Sequence, residues 1–97
     1  MRAAIALGAA AVQVGTSYLL CHESTTSAVH RAAVSSPSAA HTAVTNLFTG
    51  RPARGIVNRL MRELGPLRGD VPAFPLAADT IAPLRAAAEA AGSDVVT

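Results

Sequence analysis

Half of this chain is apolar, yet it carries only three large rings, Tyr18, Phe48 and Phe74, among 97 residues that are 51% hydrophobic. Alanine supplies much of that apolar content, and a methyl group removes far less surface from water than a ring or a branched chain does. A domain of this size buries only about 60–65% of the surface that its unfolded chain exposes, so a core built on alanine is marginal by itself. The sequence therefore predicts helices packed against something larger, and its length allows one small domain or a piece of a bigger one.

Charge narrows the partners. The formal net charge is +2, and all eight basic residues are Arg. Arg51, Arg54, Arg59, Arg62 and Arg68 crowd one stretch, which raises the question of nucleic acid. Single-strand binding needs stacking rings beside the cations, and this stretch has none, while Glu63 and Asp70 interrupt it. A solvated or inter-domain helix face fits better, so no nucleic-acid partner is expected. Arg51 and Arg54 could clamp an anionic substrate, but ion pairs that pin one part of the fold to another are the simpler expectation. The single cysteine, Cys21, excludes an internal disulfide and a multi-thiolate zinc site; it reads as a small buried hydrophobe. No metal site is expected.

The N-terminus admits two readings. Met1-Arg2 followed by an Ala-rich run to Val12 resembles a short signal peptide, with Ala9-Ala10-Ala11 as its cleavage site. The apolar run nevertheless continues beyond it, through Val14 to Leu20, with polar residues at fixed places, and it is too short and broken to span a membrane. Ala3 to Leu7 reads instead as a helix closed by Gly8, Ala11 to Val14 as a short buried strand, and Ser17 to Leu20 as a helical turn. That is the grammar of an α/β unit.

Further along, Glu23-Ser24-Thr25-Thr26 offers capping oxygens for a helix that carries Ala28, Val29, Ala32 and Ala33 at helical spacing, and Ser35-Ser36-Pro37-Ser38 breaks it. Thr42 to Phe48 is rich in β-branched residues and predicts a strand. A helix is predicted next, with Pro52 in its first turn, Ile56, Val57, Leu60, Met61 and Leu64 as the apolar stripe, and Asn58, Arg59, Arg62 and Glu63 facing away. Leu67 to Pro75 reads as a loop in which Arg68-Gly69-Asp70 forms a turn. A last helix from about Leu76 to Ala91 turns Ile81 and Leu84 inward and ends at Gly92; Pro83 should kink it or mark its first turn.

Gln13-Val14-Gly15-Thr16 is the tetrad that carries chemistry. It falls where a predicted strand gives way to a helical turn. Glycine there lets a ligand approach the backbone with no Cβ between, unpaired N–H groups favour an anion, and a threonine hydroxyl adds one more donor. In (β/α) barrels the loops after the last strands form the usual phosphate site. By spacing alone, an ordinary tight turn explains the same four residues.

Two longer segments resemble the nitronate monooxygenases, formerly 2-nitropropane dioxygenases. Gly8-Ala9-Ala10-Ala11-Val12-Gln13-Val14-Gly15-Thr16 is similar to the family's phosphate-binding strand and loop, and Thr45-Asn46-Leu47-Phe48-Thr49-Gly50-Arg51-Pro52-Ala53-Arg54-Gly55, continued by Ile56 to Leu64, is similar to a second characteristic segment. The resemblance runs from about Ala3 to Gly92, and the order and spacing of the two segments make it specific. It implies an α/β fold: the C-terminal part of an FMN-binding (β/α)8 TIM barrel with part of a small α/β lid domain. On that reading residues 1–20 hold the last strand and phosphate-binding turn, 21–75 belong to the small substrate-side domain, and 76–97 return to the barrel. The implied activity is FMN-dependent oxidation of alkyl nitronates by dioxygen to a carbonyl compound and nitrite, in the cytoplasm and without a membrane. Gln13, Val14, Gly15 and Thr16 are the implied FMN-binding residues.

The family's catalytic histidine sits in a Gly-Gly-His context, which His22, His30 and His41 do not match, so no catalytic residue is assigned. A typical barrel needs roughly 250 residues, so the chain reads as a piece that is silent by itself. Two rivals remain: a small secreted helical protein with a signal peptide over Met1 to Ala11, and a fragment of an FMN-dependent enoyl-reductase, which shares the barrel.

Overall fold

The computed structural model describes residues 1–97. Helix α1, Arg2–Ala6, ends as predicted, with Gly8 in the left-handed region at φ 101°. No strand forms at Ala11 to Val14; the segment is extended and mostly exposed. A strand persists only where a neighbour takes up its N–H and carbonyl groups, and no other segment of this chain pairs with it. A 3-10 helix, Thr16–Leu20, follows where a helical turn was expected. Cys21 closes that turn and is exposed, not buried as its type suggested.

Helix α2 spans Ala28–Ser35 and is capped by Ser27, whose Oγ accepts the His30 N–H at 3.3 Å. The expected cap lay one to four residues earlier, but Ser24 and Thr26 bond to one another at 2.6 Å instead. Ser36 ends the helix and caps a short 3-10 turn, Pro37–Ala40.

Strand β1 is Thr42–Thr45, shorter than the predicted stretch to Phe48, because the buried Thr45 hydroxyl accepts the Leu47 N–H at 3.2 Å and turns the chain. Its antiparallel partner β2 is Ala53–Ile56, with Thr42 opposite Ile56 and Thr45 opposite Ala53. This corrects the sequence expectation, which put a helix from Pro52 onward. Gly55 and the β-branched pair Ile56-Val57 suit a ladder better than a helix, and the Val57 N–H prolongs the pairing to the His41 carbonyl at 2.9 Å. Helix α3 begins only at Arg59 and runs to Leu64. Asn58, read as part of the outward polar face, is buried: its Oδ1 accepts the Met61 N–H at 3.0 Å and its Nδ2 donates to the Thr97 carbonyl at 3.0 Å. Of the expected apolar stripe, Met61 is the buried member and Leu64 lies exposed.

The loop after α3 is clamped from both sides by Asn46, whose Nδ2 donates to the Arg68 carbonyl at 2.7 Å and whose Oδ1 accepts the Arg68 N–H at 3.0 Å. Helix α4, Leu76–Ala90, carries Pro83 inside it, not in its first turn, and Gly92 stands in the left-handed region just beyond. Its buried residue is Ala77; Leu84, expected inward, is exposed. The tail folds back, Val95 accepting the Leu60 N–H at 3.1 Å, and Val96 is the most thoroughly buried residue. The core comprises Leu47, Met61, Ala77 and Val96, and Thr45, Asn58 and Thr97 are buried as well. Only 7 of 97 residues are buried, so most apolar helix surface faces outward, which is what an alanine-built core can hold.

At the surface the Arg68 guanidinium grips Asp70 with both oxygens, at 2.7 and 2.6 Å, and this hydrogen bonding holds the Asp70 carboxyl below the ordinary carboxylate range. A depressed native value contributes stability above the unfolded value, lost as pH falls through the native one. Followed by NMR, the Asp70 titration is expected to return to the ordinary range in Arg68→Gln; a midpoint that the substitution leaves unmoved would contradict the pairing.

Candidate functional site

The tetrad Gln13-Val14-Gly15-Thr16 runs from an extended segment into the 3-10 helix, and all four residues are exposed. Gly15 adopts φ −119° and ψ −56°, a backbone open to any residue, and a Cβ built there meets nothing within 4 Å. Nothing in the local packing therefore calls for glycine at 15. The first bond of the 3-10 helix is the Tyr18 N–H donating to the Gly15 carbonyl at 3.0 Å, so the Thr16 and Ser17 N–H groups precede the first intrahelical donor and have no partner within the helix. An open glycine, free N–H groups and a threonine hydroxyl form a donor set suited to an oxyanion, and they fit the phosphate end of a ligand.

Behind this turn stands a residue that the sequence reading passed over. Arg31, on α2, donates from Nη1 to the Leu20 carbonyl at 2.8 Å and the Cys21 carbonyl at 3.1 Å, and from Nη2 to the Ser24 carbonyl at 3.2 Å. No local pattern could have flagged it, because its partners lie 7 to 11 residues upstream across a bend.

The remaining candidates disperse. His22 and His41 are exposed, and His30 is half-buried on α2 with a buried Nδ1 that has no partner; no His, Cys, Asp or Glu cluster could hold a metal. Arg54 donates to the Thr42 hydroxyl at 3.0 Å across the β1–β2 pair. Arg51 stacks its guanidinium 4.4 Å above the Phe74 ring, joining the turn after β1 to the loop before α4. Neither arginine forms the expected ion pair; each makes an uncharged contact, one with a ring and one with a hydroxyl. A cavity of about 580 Å³ lies apart from the tetrad, between α2, β2, α3 and the tail, and is lined by Asn58, Arg59, Arg62 and Asp94 among others.

Comparison with known proteins gives a consistent picture. The family model described as nitronate monooxygenase matches residues 1–95. A nitronate monooxygenase of Pseudomonas aeruginosa is 43% identical over 94 residues, covering 96% of this chain and 27% of that protein. A probable nitronate monooxygenase of Staphylococcus aureus is 37% identical over 95 residues, covering 98% of this chain and 27% of its own length. Among solved structures, a nitroalkane oxidase from Streptomyces ansochromogenes superposes with a TM-score of 0.77 at 44% identity, covering 96% of this chain and 26% of that one. The chain therefore spans about a quarter of the length of the relatives it matches.

Proposed function

Because the chain belongs to the nitronate monooxygenase family, we propose that it forms the phosphate-anchoring part of an FMN-dependent oxidoreductase that converts alkyl nitronates and dioxygen to carbonyl compounds and nitrite. The observation that carries this reading is the family match over residues 1–95, within which the open Gly15-Thr16 turn stands. That match includes the run from Met1 to Ala11, which favours this reading over a secreted helical protein. The relatives are named for nitronates and nitroalkanes, which favours it over an enoyl-reductase.

Bound FMN would supply the redox chemistry, and this chain's share is binding and orientation. Gly15 leaves room for the phosphate against the backbone, the Thr16 hydroxyl and the Thr16 and Ser17 N–H groups donate to its oxygens, and Gln13 and Val14 line the approach. The extended segment before Gly15 would gain its strand partners from the rest of a (β/α)8 barrel, residues 21–75 would belong to the substrate-side lid, and α4 would return to the barrel.

The test is a chimera: the P. aeruginosa nitronate monooxygenase with its matching 94 residues replaced by this chain. It is expected to retain flavin through purification and to release nitrite from a simple alkyl nitronate. The 97-residue chain alone is expected to do neither, since a pocket must bury most of its ligand and one turn cannot. A folded chimera without flavin would overturn the proposal, as would steady turnover by the chain alone, which would move the search for a base to His22, His30 and His41.

A further inference from the structure

We infer that Arg31 is a positioning residue for the phosphate turn, an inference that rests on the FMN reading above. The hydrogen bonds form an unbroken relay. The Gly15 carbonyl accepts the Tyr18 N–H at 3.0 Å, the Tyr18 carbonyl accepts the Cys21 N–H at 3.2 Å, and the Cys21 carbonyl accepts the Arg31 guanidinium at 3.1 Å. The same guanidinium holds the Leu20 carbonyl at 2.8 Å and the Ser24 carbonyl at 3.2 Å.

The last carbonyls of a helix have no partner within it, and a cation there satisfies them and favours the dipole's negative end. The 3-10 helix Thr16–Leu20 contributes no buried residue, so packing does little to fix it. A five-residue helix is too short to persist by itself. Arg31 fastens its C-terminal end to α2, a helix with its own serine cap. Fixing that end orients the N–H groups of Thr16 and Ser17 at the other. Arg31 is also the side chain for which the planar fork matters: three carbonyls spread over Leu20 to Ser24 are reached by two separate nitrogens, which a single ammonium cannot span.

Two measurements test this. In the chain itself, Arg31→Met is expected to raise amide hydrogen exchange at Tyr18 and Cys21 by about tenfold or more, the scale of losing charge-assisted hydrogen bonds, while the α2 amides change little. Arg31→Lys should restore part of the protection. Equal exchange at Tyr18 and Cys21 in parent and Arg31→Met would overturn the inference. In the chimera, Arg31→Met is expected to raise the Kd for FMN about tenfold and to leave that for riboflavin unchanged, a phosphate-specific loss that general loosening does not produce. A parent chimera with no preference for FMN over riboflavin would defeat the phosphate-site reading itself. A parent that prefers FMN, with that preference unmoved in Arg31→Met, would defeat the Arg31 inference alone.

Discussion

Met61→Asp is expected to unfold most of the chain's packed centre, at a cost of about 3 kcal/mol or more. Met61 is 2% exposed, in a core with only three other apolar members. Its backbone N–H receives the Asn58 cap, and its terminal methyl lies 3.2 Å from where a Cβ on Gly55 would stand, so it ties α3 to β2. A carboxylate there finds no cation within the core, and a core this small has no reserve to absorb the loss. Met61→Leu preserves volume and should cost less than about 1.5 kcal/mol. Urea denaturation followed by far-UV circular dichroism separates the two; a midpoint for Met61→Asp within error of the parent would mean that α3 does not pack inward.

Gly50→Val is expected to act nearly as strongly, for a backbone reason. Gly50 lies at φ 87°, where a branched side chain is strained, and a Cβ there would stand 2.5 Å from the Pro72 carbonyl oxygen and 2.7 Å from the Phe74 nitrogen. Both are main-chain atoms and neither can swing aside. The turn is already fixed by the Gly50 N–H donating to the Asn46 carbonyl at 3.0 Å, so the strain falls on the loop at 72–74 and on the Arg51–Phe74 stack. The expected loss is about 2–3 kcal/mol, with amide exchange faster at Ala73, Phe74 and Leu76. An unchanged denaturation midpoint together with unchanged exchange in that loop would show that the close approach does not constrain the fold.

What local pattern could read, it read well. Gly8 and Gly92 lie in the left-handed region just past their helices, a local requirement, and α4 spans nearly the predicted stretch although Leu84 faces outward. Most of the differences come from pairing between separated segments, and one from a local cap. The pairing of β2 with β1 joins Thr45 to Ala53 and Thr42 to Ile56, across an intervening turn, so the stretch from Pro52 to Val57 shows a helical apolar spacing until its partner is known. Asn58 was read by polarity alone, whereas its position ahead of a helix made it a cap. Ala11 to Val14 has the composition of a strand and no neighbour in this chain to pair with. At the candidate site, Gln13 to Thr16 stood out through resemblance and the chemistry of an open glycine, while Arg31 became visible only through a three-dimensional contact.

The central claim is that Gln13-Val14-Gly15-Thr16 anchors the phosphate of FMN, and comparing FMN with riboflavin tests it most directly, since the two ligands differ only in that phosphate. In the chimera, fluorescence titration is expected to give a Kd for FMN at least about tenfold below that for riboflavin. Gly15→Val, whose side chain would fill the space against the backbone, is expected to abolish the preference and to leave riboflavin binding little changed. Equal affinity for the two flavins in the parent, or a preference for FMN that survives Gly15→Val, would contradict the account.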